Sequence, residues 1–408
     1  MRIDPSKHEW MTIPETRILL TALGDGRFVG GAVRNALLGW PVHDIDIAVP
    51  MPPEETLQRL KAAGIKAVPT GFEHGTVTAI VNGRPFEVTS LRQDIATDGR
   101  HAIVAYTDDW EEDSARRDFT MNALYAGADG EIFDYHGGVD DLLAGRVRFV
   151  GDAGQRIRED YLRILRLFRF HAWYGKGDMD PDALRAAADA KAGLAQLSGE
   201  RIAKEILRLL EAQNPVPSLR LMAASGVLSQ ILPYALQMPR LENLVLIEAE
   251  NSLAPDATLR LAALLPDEEE VARAVAGRLK LSGVDRARLE SLAMAREKIS
   301  AHLSAADVRR QLYRTGAALF RDRVLLSWAA APRGAAAIQW RMLLSIADGW
   351  ERPRFPLTGR EAMAIGLTEG PAMGQALAAV EAWWLEQDFL PDSAALLEKL
   401  KSVAGSQP

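Results

Sequence analysis

In the stretch VHDIDIAV, Asp44 and Asp46 stand one residue apart in a run of strand-forming residues. Side chains at i and i+2 of a strand share a face, so the two carboxylates project together. Held close, they repel unless a cation lies between them. Oxygen donors at this spacing suit Mg²⁺, which takes one or two carboxylates and fills its shell with substrate phosphates and water. Ile45 and Ile47 would then point the other way, into a core. An isolated Asp-x-Asp is more often a solvated strand end, so the neighbouring residues have to decide.

They favour chemistry. Just upstream, GGAVRNALLG places Gly30 and Gly31 at a strand-to-helix junction. Backbone N–H groups there are unhindered and can cradle a phosphate. Arg34, one turn on, can reach the same anion with a bidentate guanidinium. Glu87, in RPFEVTSLR, interrupts a run of strand formers on a neighbouring hairpin and is the candidate third carboxylate of a two-metal site. Its competing reading is a surface glutamate on an edge strand.

Strands and helices must position these groups. The pattern predicts helices over 14–23, 32–38 and from the prolines at 52–53 to about 63, and strands over 27–29 and 44–49. Strands over 76–81 and 85–91 are joined by Asn82-Gly83, a strong hairpin signal. A polar loop is expected over 93–112, then a helix over SARRDFTMNALYA that puts Arg116 and Arg117 near its start. The helix dipole disfavours cations there unless they hold an anion. Beyond about residue 151 strand signals almost vanish and helical periodicity continues, broken at prolines. The fold class expected is α+β, a mixed-sheet head followed by an all-helical remainder.

At 408 residues the chain exceeds one core and suggests two to four domains. A net charge of −7 argues against a uniformly basic nucleic-acid coat, yet seven arginines fall between 146 and 169. No apolar run reaches transmembrane length and no secretory signal opens the chain, so no membrane partner is expected. Cysteine is absent, which removes disulfides and thiolate metal sites and fits a cytoplasmic location.

Taken in order, GGAVRNALLG…DID, FEVTSLR, RRDFTMNAL, FDYHGGVDDL and EDYLRILRLFRF with LSGERIAKEI resemble the class II tRNA nucleotidyltransferases, the CCA-adding enzymes, and the related bacterial poly(A) polymerases. The resemblance is close from about 27 to 210 and weaker near LTGREAMAIGLTEGPAMGQAL. It implies a polymerase-β-like catalytic head over 1–145, a helical neck with base recognition over 146–215, a body over 216–330 and a tRNA-binding tail over 331–408. Asp44, Asp46 and Glu87 would be catalytic and hold two Mg²⁺ ions. Gly31, Arg34, Arg117, Asp118, Asn122, Asp160, Arg163, Arg166 and Arg169 would bind nucleotide. One departure is visible: Asn35 stands where the family usually has Asp, and an effect on local support rather than on chemistry is expected.

EDYLRILRLFRF spaces Asp160, Arg163, Arg166 and Arg169 every third residue. Without the resemblance this is an amphipathic surface helix with Asp160 and Arg163 as an i,i+3 ion pair. The resemblance implies that Asp160 and Arg163 read the incoming base. A carboxylate accepts from the exocyclic amine of cytosine or adenine while a guanidinium donates to the ring nitrogen. Guanine and uracil mismatch both contacts, and such mismatches discriminate by about 10⁴–10⁵. In the family a flexible loop in the 93–112 region helps to switch preference from C to A. The implied activity is untemplated addition of CMP, CMP and AMP from CTP and ATP to the tRNA 3′ end, with no obligate protein partner evident. A poly(A) polymerase, a split CC- or A-adding enzyme, or a non-catalytic RNA-binding protein are the rival readings.

Overall fold

A computed structural model describes residues 1–72, 75–98, 101–294 and 299–405 of the chain. The backbone packs as two units, Met1–Pro233 and Tyr234–Pro408.

The first unit opens with α1 (Glu9–Thr12) and α2 (Pro14–Leu23), the latter starting on proline and ending at Gly24. Then come β1 (Arg27–Val29), α3 (Gly31–Leu37), β2 (Asp46–Val49), α4 (Pro53–Ala62), β3 (Lys66–Gly71), β4 (Thr76–Val81) and β5 (Arg84–Ser90). β6 (Arg92–Asp98) and β7 (His101–Tyr106) precede α5 (Trp110–Ala115), β8 (Leu124–Ala126) and β9 (Ile132–Asp134). Seven strands form one sheet in the order β3-β4-β5-β2-β1-β8-β9, antiparallel except for the β2–β5 pair, so the head is a mixed sheet. On one face Phe28, Ile47, Val77 and Val88 are buried, and α2 and α4 pack against that side. The opposite face carries Thr78, Glu87 and Asp46 in one register row.

α6 (Gly138–Ala144), α7 (Ala153–Glu159), α8 (Leu162–Tyr174), α9 (Pro181–Ala190), α10 (Gly199–Leu210), α11 (Val216–Ala224) and α12 (Val227–Ile231) complete this unit. The second unit contains only helices among its described residues, from α13 (Met238–Glu250) to the final helix (Ser393–Gly405). Its sequence-distant helices close over a core that includes Tyr313, Val380, Trp384, Leu396 and Leu400. The buried Arg260–Glu248 ion pair, 2.7 Å, lies in the same unit. No described helix is long and apolar enough to cross a membrane.

Four local expectations are corrected. The helix over 115–126 stops at Ala115. The Asp118 carboxylate accepts the Phe119 N–H at 2.9 Å, and Thr120 N–H donates to the Arg148 carbonyl at 3.0 Å, diverting the backbone from helix. Residues 124–126 then pair with β1 and β9 as a strand. The polar loop over 93–112 is instead largely the β6–β7 hairpin, with residues 99–100 of its tip outside the described residues. Strand β2 begins at Asp46, so Asp44 precedes it and is exposed, and Ile45 is half-buried rather than in the core. The helix over 159–170 is interrupted at Asp160, which is extended at φ −153°, ψ 108°.

Candidate active site

Asp46 is the first residue of β2 and lies directly opposite Glu87 on the adjacent parallel strand, with Thr78 next in the row on β4. Asp44, two residues before Asp46, lines the same cavity of about 750 Å³, together with His43, Trp10 and Arg84. No hydrogen bond or ion pair reaches these three carboxylates from the described residues. Burial, then Glu87 and Asp44, push the Asp46 carboxyl above its usual pKa, opposed by Arg117. Partnerless like charges in a polar cavity are a donor set suited to a hard cation. Among the described residues no group of three His, Cys, Asp or Glu side chains is placed to hold a metal ion, so the three carboxylates share a cavity without forming a closed metal cluster.

The glycine junction forms as the sequence suggests. Gly30 caps α3 at φ 63°, a left-handed conformation that glycine adopts without a Cβ penalty. Arg34, only 8% exposed, turns inward from this helix. Its Nη1 donates to Asn122 Oδ1 at 2.6 Å, while Nε and Nη2 donate to Asn35 Oδ1 at 3.2 and 3.1 Å. Its guanidinium lies 4.3 Å from the Tyr174 ring centroid. Thus Arg34 is held by two neutral amides and an aromatic face, with no carboxylate among the described residues hydrogen-bonded to it. Asn35 Nδ2 also donates to the Pro41 carbonyl at 3.1 Å, tying α3 to the turn that leads to Asp44. Local support is therefore what the Asn35 side chain supplies.

Arg116 and Arg117 fall at the end of α5, not the start, so its dipole favours them. Both pair with the buried Asp113, at 2.7 and 2.9 Å. Asp113 also accepts from the Tyr125 hydroxyl at 2.6 Å. Despite burial, the two guanidiniums hold its carboxyl far below the usual range. The same carboxylate accepts the Arg92 N–H at 3.2 Å, anchoring the base of the hairpin to the arginine pair.

A second polar chain runs from the head into α8. Asn122 Nδ2 donates to Asp118 Oδ1 at 3.0 Å, and Arg166 Nε donates to Asp118 Oδ2 at 2.7 Å. Arg166 also lies 3.7 Å from Glu205, which pairs with Arg169. Burial tends to raise the Asp118 pKa, but Arg166 and the hydrogen bonds prevail and bring it to about 2. Arg34, Asn122, Asp118, Arg166 and Arg169 are therefore one connected network.

Asp160 and Arg163 do not form the i,i+3 ion pair of the anonymous-helix reading. Asp160 pairs with Arg201 at 2.7 Å, whereas Arg163 pairs with Glu159. Asp113, Tyr125, Glu159, Glu205 and Arg201 were not singled out from the sequence. Asp113 was legible in principle, lying three and four residues before two arginines. Glu205 and Arg201 lie about forty residues from their partners and carried no local signal.

Residues 26–148 match the poly A polymerase head domain family, and residues 178–238 match the "probable RNA and SrmB- binding site of polymerase A" family. Human mitochondrial CCA tRNA nucleotidyltransferase 1 is 33% identical over 389 residues, covering 92% of this chain and 86% of that protein. The CCA-adding enzyme of Latilactobacillus sakei is 30% identical, covering 92% and 93%. Among solved structures, the Bacillus stearothermophilus CCA-adding enzyme in complex with CTP aligns with a TM-score of 0.73 and 25% identity, covering 96% of this chain and 98% of that one. The Thermotoga maritima CCA-adding enzyme complexed with tRNA-CCA shares the fold at a TM-score of 0.65 and 23% identity, covering 98% and 97%. Nucleotidyltransferases of this kind use a divalent metal ion.

Proposed function

The chain belongs to the CCA tRNA nucleotidyltransferase family, and on that premise we propose that it adds CMP, CMP and AMP from CTP and ATP to the tRNA 3′ end, without a nucleic-acid template. The observation that carries the reading is the row of partnerless carboxylates, Asp46 opposite Glu87 with Asp44 beside them. We assign these three to Mg²⁺, two ions in all. When bound, such ions lower the pKa of the tRNA 3′-hydroxyl and offset the charge on the leaving pyrophosphate.

The protein's own groups supply binding and selection. Gly31, Arg34 and Arg117 hold the triphosphate together with Asp118 and Asn122, Asn122 also keeping Arg34 in place and Asp113 keeping Arg117. Arg34 suits an anionic ligand because its hydrogen-bond partners here, Asn35 and Asn122, leave its charge unneutralised. The 3′-hydroxyl oxygen attacks the α-phosphorus, the bond to the β-phosphate oxygen breaks, and pyrophosphate departs. Asp160 and Arg163 read the base, with Arg166 and Arg169 supporting them. Residues 1–145 serve as catalytic head, 146–215 as neck, 216–330 as body and 331–408 as the tRNA-docking tail. Work in the cytoplasm belongs to the same proposal.

The test offers tRNA transcripts ending at the discriminator base, at C and at CC, with Mg²⁺ and each labelled nucleotide separately. CMP added to the first two and AMP only to the third, stopping there, is the expected result. AMP runs on any RNA would make it a poly(A) polymerase, and a single partial reaction a split enzyme. No incorporation would overturn the enzymatic reading.

A further inference from the structure

Asp160 and Arg163 are three residues apart, opposite in charge, and taken up by different partners. Asp160 sits in the break between α7 and α8. Its Oδ1 accepts the Leu162 N–H at 3.0 Å and its Oδ2 accepts Arg201 Nη2 at 2.7 Å. Arg201 comes from the first turn of α10, forty-one residues downstream. Arg163 is drawn the other way. Its Nη1 pairs with Glu159 and donates to the Arg156 carbonyl at 2.8 Å, and Nη2 donates to the Arg116 carbonyl at 3.2 Å. Tyr161, next to Asp160 in the break, packs directly on Gly193, where a Cβ would meet its ring at 2.2 Å.

We propose that Arg201 and Glu159 are positioning residues for base selection, each restraining one member of the reading pair so that Asp160 and Arg163 do not neutralise each other. The proposal rests on the reading that this pair recognises the base. Were the two joined, an incoming base would first have to break their ion pair before it could meet both members. Drawn apart, the carboxylate remains an acceptor beside a separate donor, the pattern that cytosine and adenine complement and uracil and guanine do not. The Arg201–Asp160 pair is about a quarter exposed on each side, so removing Arg201 also strips a partly buried carboxylate of its partner, and selectivity rather than stability is the readout that isolates its positioning role.

The experiment measures CMP and UMP incorporation on tRNA ending at the discriminator base, and AMP and GMP incorporation on tRNA ending in CC, with the full-length Arg201→Ala, Arg201→Lys, Glu159→Gln and Asp160→Ala variants. Arg201→Ala is expected to raise UMP relative to CMP by about tenfold, the factor of roughly one lost hydrogen bond. Arg201→Lys, which keeps the charge, should recover part of the selectivity. Glu159→Gln should shift selectivity in the same direction. Parental selectivity in Arg201→Ala, with relaxed selectivity in Asp160→Ala, overturns the positioning role and leaves base reading intact. Parental selectivity in both overturns base reading itself. A uniform loss for all four nucleotides with a fall in melting temperature makes Arg201 a structural tie and also overturns the proposal.

Discussion

Asp46 and Glu87 are register partners on the one parallel strand pair of the head sheet, two like charges with no cation among the described residues bonded to either. The arrangement opposes folding, and a metal ion is the proposed ligand that would relieve it. Asp46 carries a carboxyl raised by burial and by its acidic neighbours. A raised carboxyl contributes stability that is full below its unfolded pKa and lost as pH rises through the folded value. At neutral pH the metal-free protein therefore bears the cost. Asp46→Asn should raise the melting temperature in chelator by about 2–4 °C, the effect of ~1 kcal/mol in a unit of this size, while abolishing incorporation. Calorimetry with EDTA, beside a turnover assay, checks both; a lower melting temperature would show that the carboxylate is structural.

Chelation gives a second outcome. Millimolar Mg²⁺ should raise the parental melting temperature, since binding only the folded state stabilises by mass action. In Asp46→Asn that increment should shrink or vanish. An equal increment in both proteins would place the ion elsewhere.

Asp118 titrates in the opposite sense. Its carboxyl is lowered to about 2 by Arg166 and its hydrogen bonds. A lowered carboxyl stabilises above its unfolded value, near 3.8, and that contribution is lost as pH falls through about 2. Asp118→Asn should cost about 2–3 kcal/mol at pH 7 and flatten the stability profile between pH 4 and 2. Urea unfolding across that range would test it, and an unchanged acid limb would remove Asp118 from the account.

Asn35 holds Arg34 rather than reacting. Asn35→Ala should raise KM for CTP and ATP by about 3–10-fold with kcat nearly intact, because a binding arginine loses its acceptor. Asn35→Asp restores an acceptor and should recover most of the loss, though it forfeits the donation to Pro41. A fall in kcat at saturating nucleotide would instead tie Asn35 to the chemical step.

Tyr125→Phe should destabilise by about 1–2 kcal/mol, since the buried hydroxyl donates to Asp113 and accepts from Arg117. Asp113 retains both arginines, so the head should still fold. The useful measurement is unfolding beside nucleotide KM, which should rise if the network aims Arg117.

Much of the head was legible because local rules govern it. Pro14, Gly24 and Asn82-Gly83 mark the ends of α2 and the β4–β5 turn without help from distant residues. The residues 115–126 misled because Phe119, Asn122 and Leu124 can be spread around a helix. Their backbone is claimed instead by the Arg148 carbonyl and by β1. Likewise, a polar composition over 93–112 suggested a loop, while cross-strand pairing made most of it a hairpin.

By itself the sequence determined which groups are the candidates for chemistry. Asp44, Asp46, Glu87 and Arg34 are singled out by residue type and short spacing, whereas Asp160 comes forward only through the family resemblance. Only the tertiary structure decided how those charges are used. Glu87 meets Asp46 through a strand pairing, Glu205 meets Arg169 from another helix, and Arg201 draws Asp160 away from its sequence neighbour Arg163. Such pairings depend on which segments burial brings together, and no local spacing encodes them.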